Sequence, residues 1–440
     1  MRGRKICFQS VFNFGGCALI WRGYQWITWL LAPWALLCVV VRLYKEPLYR
    51  IHWRQRFGYD YPDKVSNTLW FHAVSVGEVN LAATLIQSLN IDRPIILTTT
   101  TLTGAERARV VLGDRVIHVY APFDLKSVVM RFIEHFKPIA LYLIETELWP
   151  HWIHCCQQQE IPVMLINGRL SDRSYRRYCL IRPLTRAMLS ALSCLAVQSS
   201  LIGERFLKLG AAPDRVQVMN NIKYEIPMSL SDQALGFKLR QSLGGASRPC
   251  VIAASTHPGE EIMVLEAFVQ LKSRAQDPCL ILAPRHPIRV DDILKLCHQF
   301  NLKSARSTTI ASDQLNSIEV LIVDTLGQLC QFYTASDIAF IGGSLIEHGG
   351  HNPIEAIQAS CACLSGPHVF NFEDMYEALF ESGGCVRVKD AQALFQSWDH
   401  LIHTPEQQMQ QVRDAQAVIR QTQGGLNQHL ALIEALCSSD

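Results

Sequence analysis

No CxxC pair occurs among the fifteen cysteines, and the closest neighbours are Cys155–Cys156 and the pair Cys361 and Cys363. Adjacent cysteines rarely bridge, and a chain of 440 residues can build a core without covalent staples. The cysteines therefore read as reduced, small core residues of a cytosolic compartment. Neither GxxxxGK[ST] nor GxGxxG follows a strand pattern, which removes the ATP-binding P-loop and the dinucleotide fingerprint. Charge is scarce, at 18% Asp, Glu, Lys and Arg, and it nearly cancels to +2, which excludes a strongly basic nucleic-acid binder. With 49% hydrophobic residues the chain is too apolar to be disordered. Internal repeats and low-complexity tracts are also missing.

What is present is unevenly placed. Residues 1–60 hold nine Lys or Arg and two acids, a net of +7, while residues 61–440 hold 32 bases and 37 acids, a net of −5. Inside the basic head, Gly23 to Val41 is a run of 19 residues without charge, rich in tryptophan and interrupted by Pro33. At 1.5 Å per residue it is just long enough to cross a hydrocarbon layer of about 30 Å. Its sequel is Arg42, Lys45, Arg50, Arg54 and Arg56 rather than a cleavage site, which favours a retained signal-anchor with the body on the cytoplasmic side. A helix lying in the headgroup layer and gripping anionic lipid is the alternative. Both readings place the protein at a membrane.

Beyond residue 60, short apolar runs alternate with helical stretches. Twelve runs from Leu69–Ala73 to Cys361–Leu364 read as strands of parallel sheets covered on both faces. A polar, Gly- and Pro-bearing stretch near residues 225–248 divides them. The expectation is an α/β protein of two Rossmann-like, doubly wound domains with a deep cleft between them. Its parts would be an N-terminal anchor over 1–50, a first domain over 51–232 and a second over 233–440. Ligands of such sheets sit outside the carboxyl ends of the strands.

The chemistry-bearing motifs fall at those ends. In HAVSVGE, Ser75 caps a helix and Glu78 lands in its first turn, so Glu78 reads either as a capping-box carboxylate or as a base held ionised by the helix dipole. IETELWPHW puts Glu145 and Glu147 at a strand end before a Pro-initiated helix, where acids are common for structural reasons alone. In NGRLSDRSYRRY, Arg169, Arg173, Arg176 and Arg177 with Tyr175 and Tyr178 form a solvated face, an RNA-like stacking patch or a phosphate-binding patch. ASTHPGEE repeats the strand–turn–helix pattern with Glu at the helix start, and LAPRHP sets Arg285 and His286 at a strand end. GGSLIEHGGHNPIEA offers glycines for close backbone approach, then a helix start at Asn352-Pro353-Ile354-Glu355 suited to a phosphate. His348, His351 and His286 invite a metal, but no matching Cys or Asp set accompanies them, so neither a metal nor a cofactor is expected.

Taken together, HAVSVGE, ETELWP, NGRLSDRS, ASTHPGEE, PRHP and GGSLIEHGGHNPIEA resemble, in order and over most of the chain, the lipid A Kdo transferases (3-deoxy-D-manno-octulosonic acid transferases). The resemblance implies a membrane-associated glycosyltransferase of the two-domain GT-B type at the bacterial inner membrane. It would take CMP-Kdo as donor and a lipid A precursor as acceptor, with no nucleic acid among its partners. It implies Glu78 as catalytic base, Glu147 and Lys223 as stabilisers of the transition state, and a CMP site at Arg285, His286, Leu326, Gly327, Gln328, Asn352, Pro353, Ile354 and Glu355. This chain departs from the family at NGRLS (usually NARLS), NNIKY (usually GNLKF) and LGQL (usually MGEL). A transferase of another nucleotide sugar and a non-catalytic glycolipid-binding protein are the competing readings. Oligomeric state is not legible.

Overall fold

The computed structural model describes residues 14–45, 50, 52–226 and 228–437. Arg2, Arg4 and Lys5 of the basic head lie outside the described residues. The chain divides into two compact units, residues 1–226 with 423–440, and residues 227–422.

The first unit is built on seven parallel strands: β1 Thr68–His72, β2 Ile95–Thr99, β3 Ile117–Tyr120, β4 Pro138–Ile144, β5 Val163–Gly168, β6 Cys194–Val197 and β7 Val216–Val218. Their order is β3-β2-β1-β4-β5-β6-β7, with β1 joined in parallel to both β2 and β4. The inner strands are apolar along their whole length because helices cover both faces, and Leu69, Trp70 and Phe71 have no exposed surface. The second unit repeats the plan with β8 Cys250–Thr256, β9 Cys279–Pro284, β10 Ser304–Arg306, β11 Val320–Ile322, β12 Ile338–Ile341, β13 Ala362–Ser365 and β14 Cys385–Arg387. Here the order is β10-β11-β9-β8-β12-β13-β14. Both are Rossmann-like sheets, as expected, and β1 and β8 hold matching inner positions where the strand order reverses. Such a switch point is where doubly wound sheets bind ligands.

Two expectations need correction. The first concerns the domain ends. The last helix, Gly425–Cys437, does not stay with the second unit but packs on the first: Ile433 is fully buried in that unit's core, and Leu426 N–H donates to Glu225 Oε1 at 2.9 Å. Buried His429 completes the join, giving its Nδ1 proton to the Gly425 carbonyl and accepting the Asn167 N–H on Nε2. An amphipathic helix advertises an apolar face, but not the sheet it will cover.

The second concerns the N-terminal anchor. A helix does run from Phe14 to Lys45, yet among the described residues no helix is long and apolar enough to cross a membrane. The tryptophans, Gln25, Thr28 and Pro33 dilute the run, and part of it is already occupied by protein contact. Trp21 is buried and stacks on His154 (centroids 4.4 Å apart), Tyr24 donates to Asp124 Oδ2 at 2.8 Å, and Thr28 Oγ1 is 3.1 Å from His151 Nε2. Beyond Thr28 about 17 residues remain, roughly 25 Å of helix against about 30 Å of hydrocarbon. Trp26, Trp29, Leu30 and Trp34 are each more than 60% exposed.

Candidate functional site

In the first unit, the turn after β1 delivers Glu78. Ser75 is the N-cap of the helix Val76–Ser88, and its hydroxyl donates to Glu78 Oε1 at 2.9 Å while Val74 N–H donates to Oε2 at 2.8 Å. The capping box anticipated as the structural reading is therefore present. It leaves the carboxylate half-buried, with unused lone pairs on both oxygens. Burial pushes the Glu78 carboxyl up, Val74 and Ser75 pull it back, and the charge of Glu145 pushes it up again.

Two more carboxylates share this strand edge. Glu147 accepts the Trp149 indole N–H at 3.0 Å, and burial, then the charge of Glu78, raises it to about 7. Glu145 sits at the end of β4 in the left-handed region, φ +62°, and forms an ion pair with Lys223. The resemblance grouped Lys223 with Glu147, whereas the ion-pair partner of Lys223 is Glu145. Both carboxylates nonetheless lie near enough to Glu78 to shift its charge or be shifted by it.

Lys223 is placed by a buried amide network. Asn167, at the end of β5 with φ +54°, donates its side-chain N–H to Asn221 Oδ1 at 3.1 Å and accepts the Ile222 N–H at 3.1 Å. Asn221 Oδ1 in turn accepts the Lys223 N–H at 3.0 Å, and Gln198 accepts from Asn221 at 3.2 Å. The next residue, Gly168, explains one departure from the family pattern. A Cβ there would meet Leu165 at 2.8 Å and the Ala196 carbonyl at 3.2 Å, so the usual alanine does not fit without a shift. None of this network was singled out from the sequence. Amides between strand ends have no spacing signal, although the repeated Asn220-Asn221 beside Lys223 is a hint.

The basic stretch after β5 becomes the helix Asp172–Leu180, capped by Ser171, with Arg173, Arg176 and Arg177 exposed. Leu180 is 84% exposed at its end, so an arginine face and an apolar tip stand side by side. Asp172 pairs with Arg205.

In the second unit, the turn after β8 carries buried Glu260, which accepts four backbone N–H groups: His257 and Gly343 on Oε2, Ser344 and Leu345 on Oε1. Its neighbour Glu261 accepts from Thr256 and from Arg289, with Arg289 Nη1 at 2.6 Å. Glu261 thus ties the loop after β8 to the segment after β9, and Glu260 ties it to the loop after β12. Gly342 is essential to that closeness, since a Cβ would sit 2.7 Å from the Ser255 carbonyl.

Of the nine residues expected to bind CMP, all in this one unit, seven lie on strand-end loops and Ile354 and Glu355 open a short helix. Arg285 and His286 follow β9 and are exposed, as are Leu326, Gly327 and Gln328 after β11. Gln328 Oε1 accepts from Thr325 at 2.7 Å, so a neutral amide fills the place where the family carries a carboxylate. The helix expected after Asn352 is only Ile354–Gln358, and Asn352 Oδ1 accepts the Ile354 N–H at 3.2 Å. Pro353 and Ile354 are buried and have little surface to offer a ligand. Glu355 is half-buried, its carboxyl raised by burial and lowered by a hydrogen bond from Cys330.

Most of the cysteines whose side chains are described are buried, in keeping with small core residues.

Comparison with known proteins converges on one family. A family model described as 3-deoxy-D-manno-octulosonic-acid transferase (kdotransferase) matches residues 51–226. The 3-deoxy-D-manno-octulosonic acid transferase of Haemophilus influenzae is 34% identical over 94% of this chain and 98% of its own. A probable mitochondrial enzyme of that name from Arabidopsis thaliana is 32% identical over 88% of this chain and 89% of its own. Among solved structures, a glycosyltransferase from Rickettsia africae covers 85% of this chain and all of its own, with a TM-score of 0.59 at 13% identity, a likeness of fold alone.

Proposed function

The chain belongs to the 3-deoxy-D-manno-octulosonic acid (Kdo) transferases, glycosyltransferases of lipopolysaccharide synthesis, and we propose that it moves Kdo from CMP-Kdo to a hydroxyl of a lipid A precursor with inversion. The observation that carries the mechanism is Glu78: a half-buried carboxylate at the switch point of its sheet, oriented by two donors and still able to accept a third. Glu78 takes the proton of the acceptor hydroxyl as that oxygen bonds to the anomeric carbon. The bond from that carbon to the CMP phosphate oxygen breaks on the opposite face, and its electron pair leaves with CMP. Positive charge on the sugar is greatest midway, as in other oxocarbenium-like transfers. The carboxylates of Glu145 and Glu147 offset that charge, and Lys223, steadied by Glu145 and the amide network, faces the developing negative charge.

The donor belongs on the second unit. Arg285 and His286 supply positive and hydrogen-bonding groups for phosphate, and Asn352 and Glu355 supply polar groups for the nucleoside. Pro353 and Ile354 serve by fixing the loop, and Leu326-Gly327-Gln328 contribute an exposed edge. The acceptor belongs on the first. Exposed Arg173, Arg176 and Arg177 suit its phosphates, and the N-terminal helix suits its acyl chains. Between that helix and the body lies a cavity of about 210 Å³ lined by Leu31, Ala32, Leu36, Val39, Phe57 and Phe123. With Trp26, Trp29 and Trp34 outward, the helix lies in the headgroup layer of the inner membrane and holds the body on the cytoplasmic side.

Incubating the protein with CMP-Kdo and a lipid A precursor and weighing the lipid by mass spectrometry tests the reading. A gain of one or more Kdo masses, inhibited by CMP and not by UDP, is expected. Inhibition by UDP would assign a different donor, and an unmodified lipid would leave only glycolipid binding.

A further inference from the structure

Three histidines converge in the second unit from loops far apart in sequence. His257 leaves β8, while His348 and His351 lie in the glycine loop after β12, and one ligand atom from each lies within 4.8 Å of the other two. His257 Nε2 and His351 Nε2 are 2.9 Å apart with ring planes 2° from parallel, so one ring donates to the other and a single proton lies between two lone pairs. His348 covers this pair, its ring centroid 3.8 Å from that of His257.

The cluster is built into the fold. His257 is 6% exposed, and its N–H and that of Gly343 are both fixed on Glu260 Oε2. The His351 carbonyl accepts the Tyr376 hydroxyl at 2.8 Å. Gly343, at φ +68°, passes so near that a Cβ would stand 3.0 Å from the His351 ring. Two loops are thus locked together with their imidazoles facing.

We propose that His257, His348 and His351 bind one divalent transition-metal ion, zinc being the first candidate, with an open coordination position that takes an oxygen anion. Imidazole donors with no carboxylate or thiolate among them suit zinc, cobalt, nickel or copper and not magnesium or calcium. Three protein ligands leave a position free. Arg285 and Arg289 stand close enough to act on His257, and their charge favours an anion such as phosphate at that position over a second cation. The metal replaces the proton now shared by His257 and His351, with small ring rotations to aim both lone pairs. The histidine spacing in the sequence gave no such set, because the third donor lies 94 residues before His351.

The full chain, stripped with a chelator, is titrated with Co²⁺ and with Zn²⁺. One equivalent is expected to bind, with visible cobalt bands of nitrogen and oxygen ligation, and His348→Ala is expected to bind at least about tenfold more weakly. His348 is exposed, so its loss should leave the circular dichroism spectrum unchanged, and His400→Ala at an exposed site elsewhere in the unit should keep full affinity. No saturable uptake, equal affinity in His348→Ala, or a cobalt–thiolate charge-transfer band each overturns the assignment. Inorganic phosphate should shift the cobalt bands, and bands that stay fixed remove the open anion position. Failure here leaves the transfer reading untouched.

Discussion

Glu78 and Glu260 occupy the same place in two sheets. Each lies in the first turn of the helix that follows the switch-point strand, β1 in one unit and β8 in the other. Their hydrogen bonding is opposite. Glu260 is fully buried and saturated by four backbone N–H groups from two loops. Glu78 is half-buried and holds two donors, both from its own turn. A carboxylate with its acceptor sites filled is a structural anchor. One with sites left over, beside two further carboxylates and a lysine, can receive a proton. The same local sequence grammar therefore yields a saturated anchor in one unit and a carboxylate with acceptor sites to spare in the other, and the hydrogen-bond count tells them apart.

The sharpest way to break that contrast is stability. Glu260→Ala strands four buried N–H groups and should lower the unfolding free energy by at least about 3 kcal/mol. Glu78→Ala removes a capping-box partner and should cost only about 1 kcal/mol. Equal losses in denaturant titrations would erase the distinction. A second effect is pH-dependent. Burial raises Glu147 to about 7 from an ordinary 4.5, so between those values the folded chain keeps a proton that the unfolded chain has released. Stability from this group is then present below about pH 4.5 and lost as pH rises through 7. Glu147→Gln should abolish that slope and gain up to about 3 kcal/mol above pH 7, measured by unfolding at pH 5 and pH 8. The smallest effect tests the amide side of the site. Gly168→Ala should cost about 1–2 kcal/mol by crowding Leu165 and, if the crowding reaches Asn167, lower turnover through Lys223. A fully stable alanine variant would mean that the glycine is incidental.

The sheets were largely legible. Buried parallel strands are nearly continuous apolar runs, and twelve were recognisable. The two overlooked, β10 and β14, are three-residue edge strands such as Ser304–Arg306, partly exposed and too polar and short to stand out. Glu78 was legible as a residue though not as a role, because a capping box and a poised base have the same letters. The pairing of Lys223 with Glu145 was not legible. It depends on Glu145 adopting φ +62° at the end of β4 and on amides meeting across strand ends, neither of which leaves a periodic trace. The return of Gly425–Cys437 to the first unit and the His257 contribution to the histidine cluster are long-range choices of the same kind. For the N-terminal run, length and absence of charge suggested a span, whereas Trp21, Tyr24 and Thr28 are engaged with the body.

The central claim is that Glu78 accepts the proton of the attacking hydroxyl. Its most direct test is single-turnover Kdo transfer by Glu78→Gln, with CMP-Kdo affinity measured on the same preparation. Glutamine keeps the shape, its one oxygen can still accept the Val74 N–H while its amide N–H donates to the Ser75 hydroxyl, but it is no base. The account predicts a rate about 10²–10⁴-fold lower with donor affinity unchanged. Turnover within a few-fold of the parent chain would contradict it.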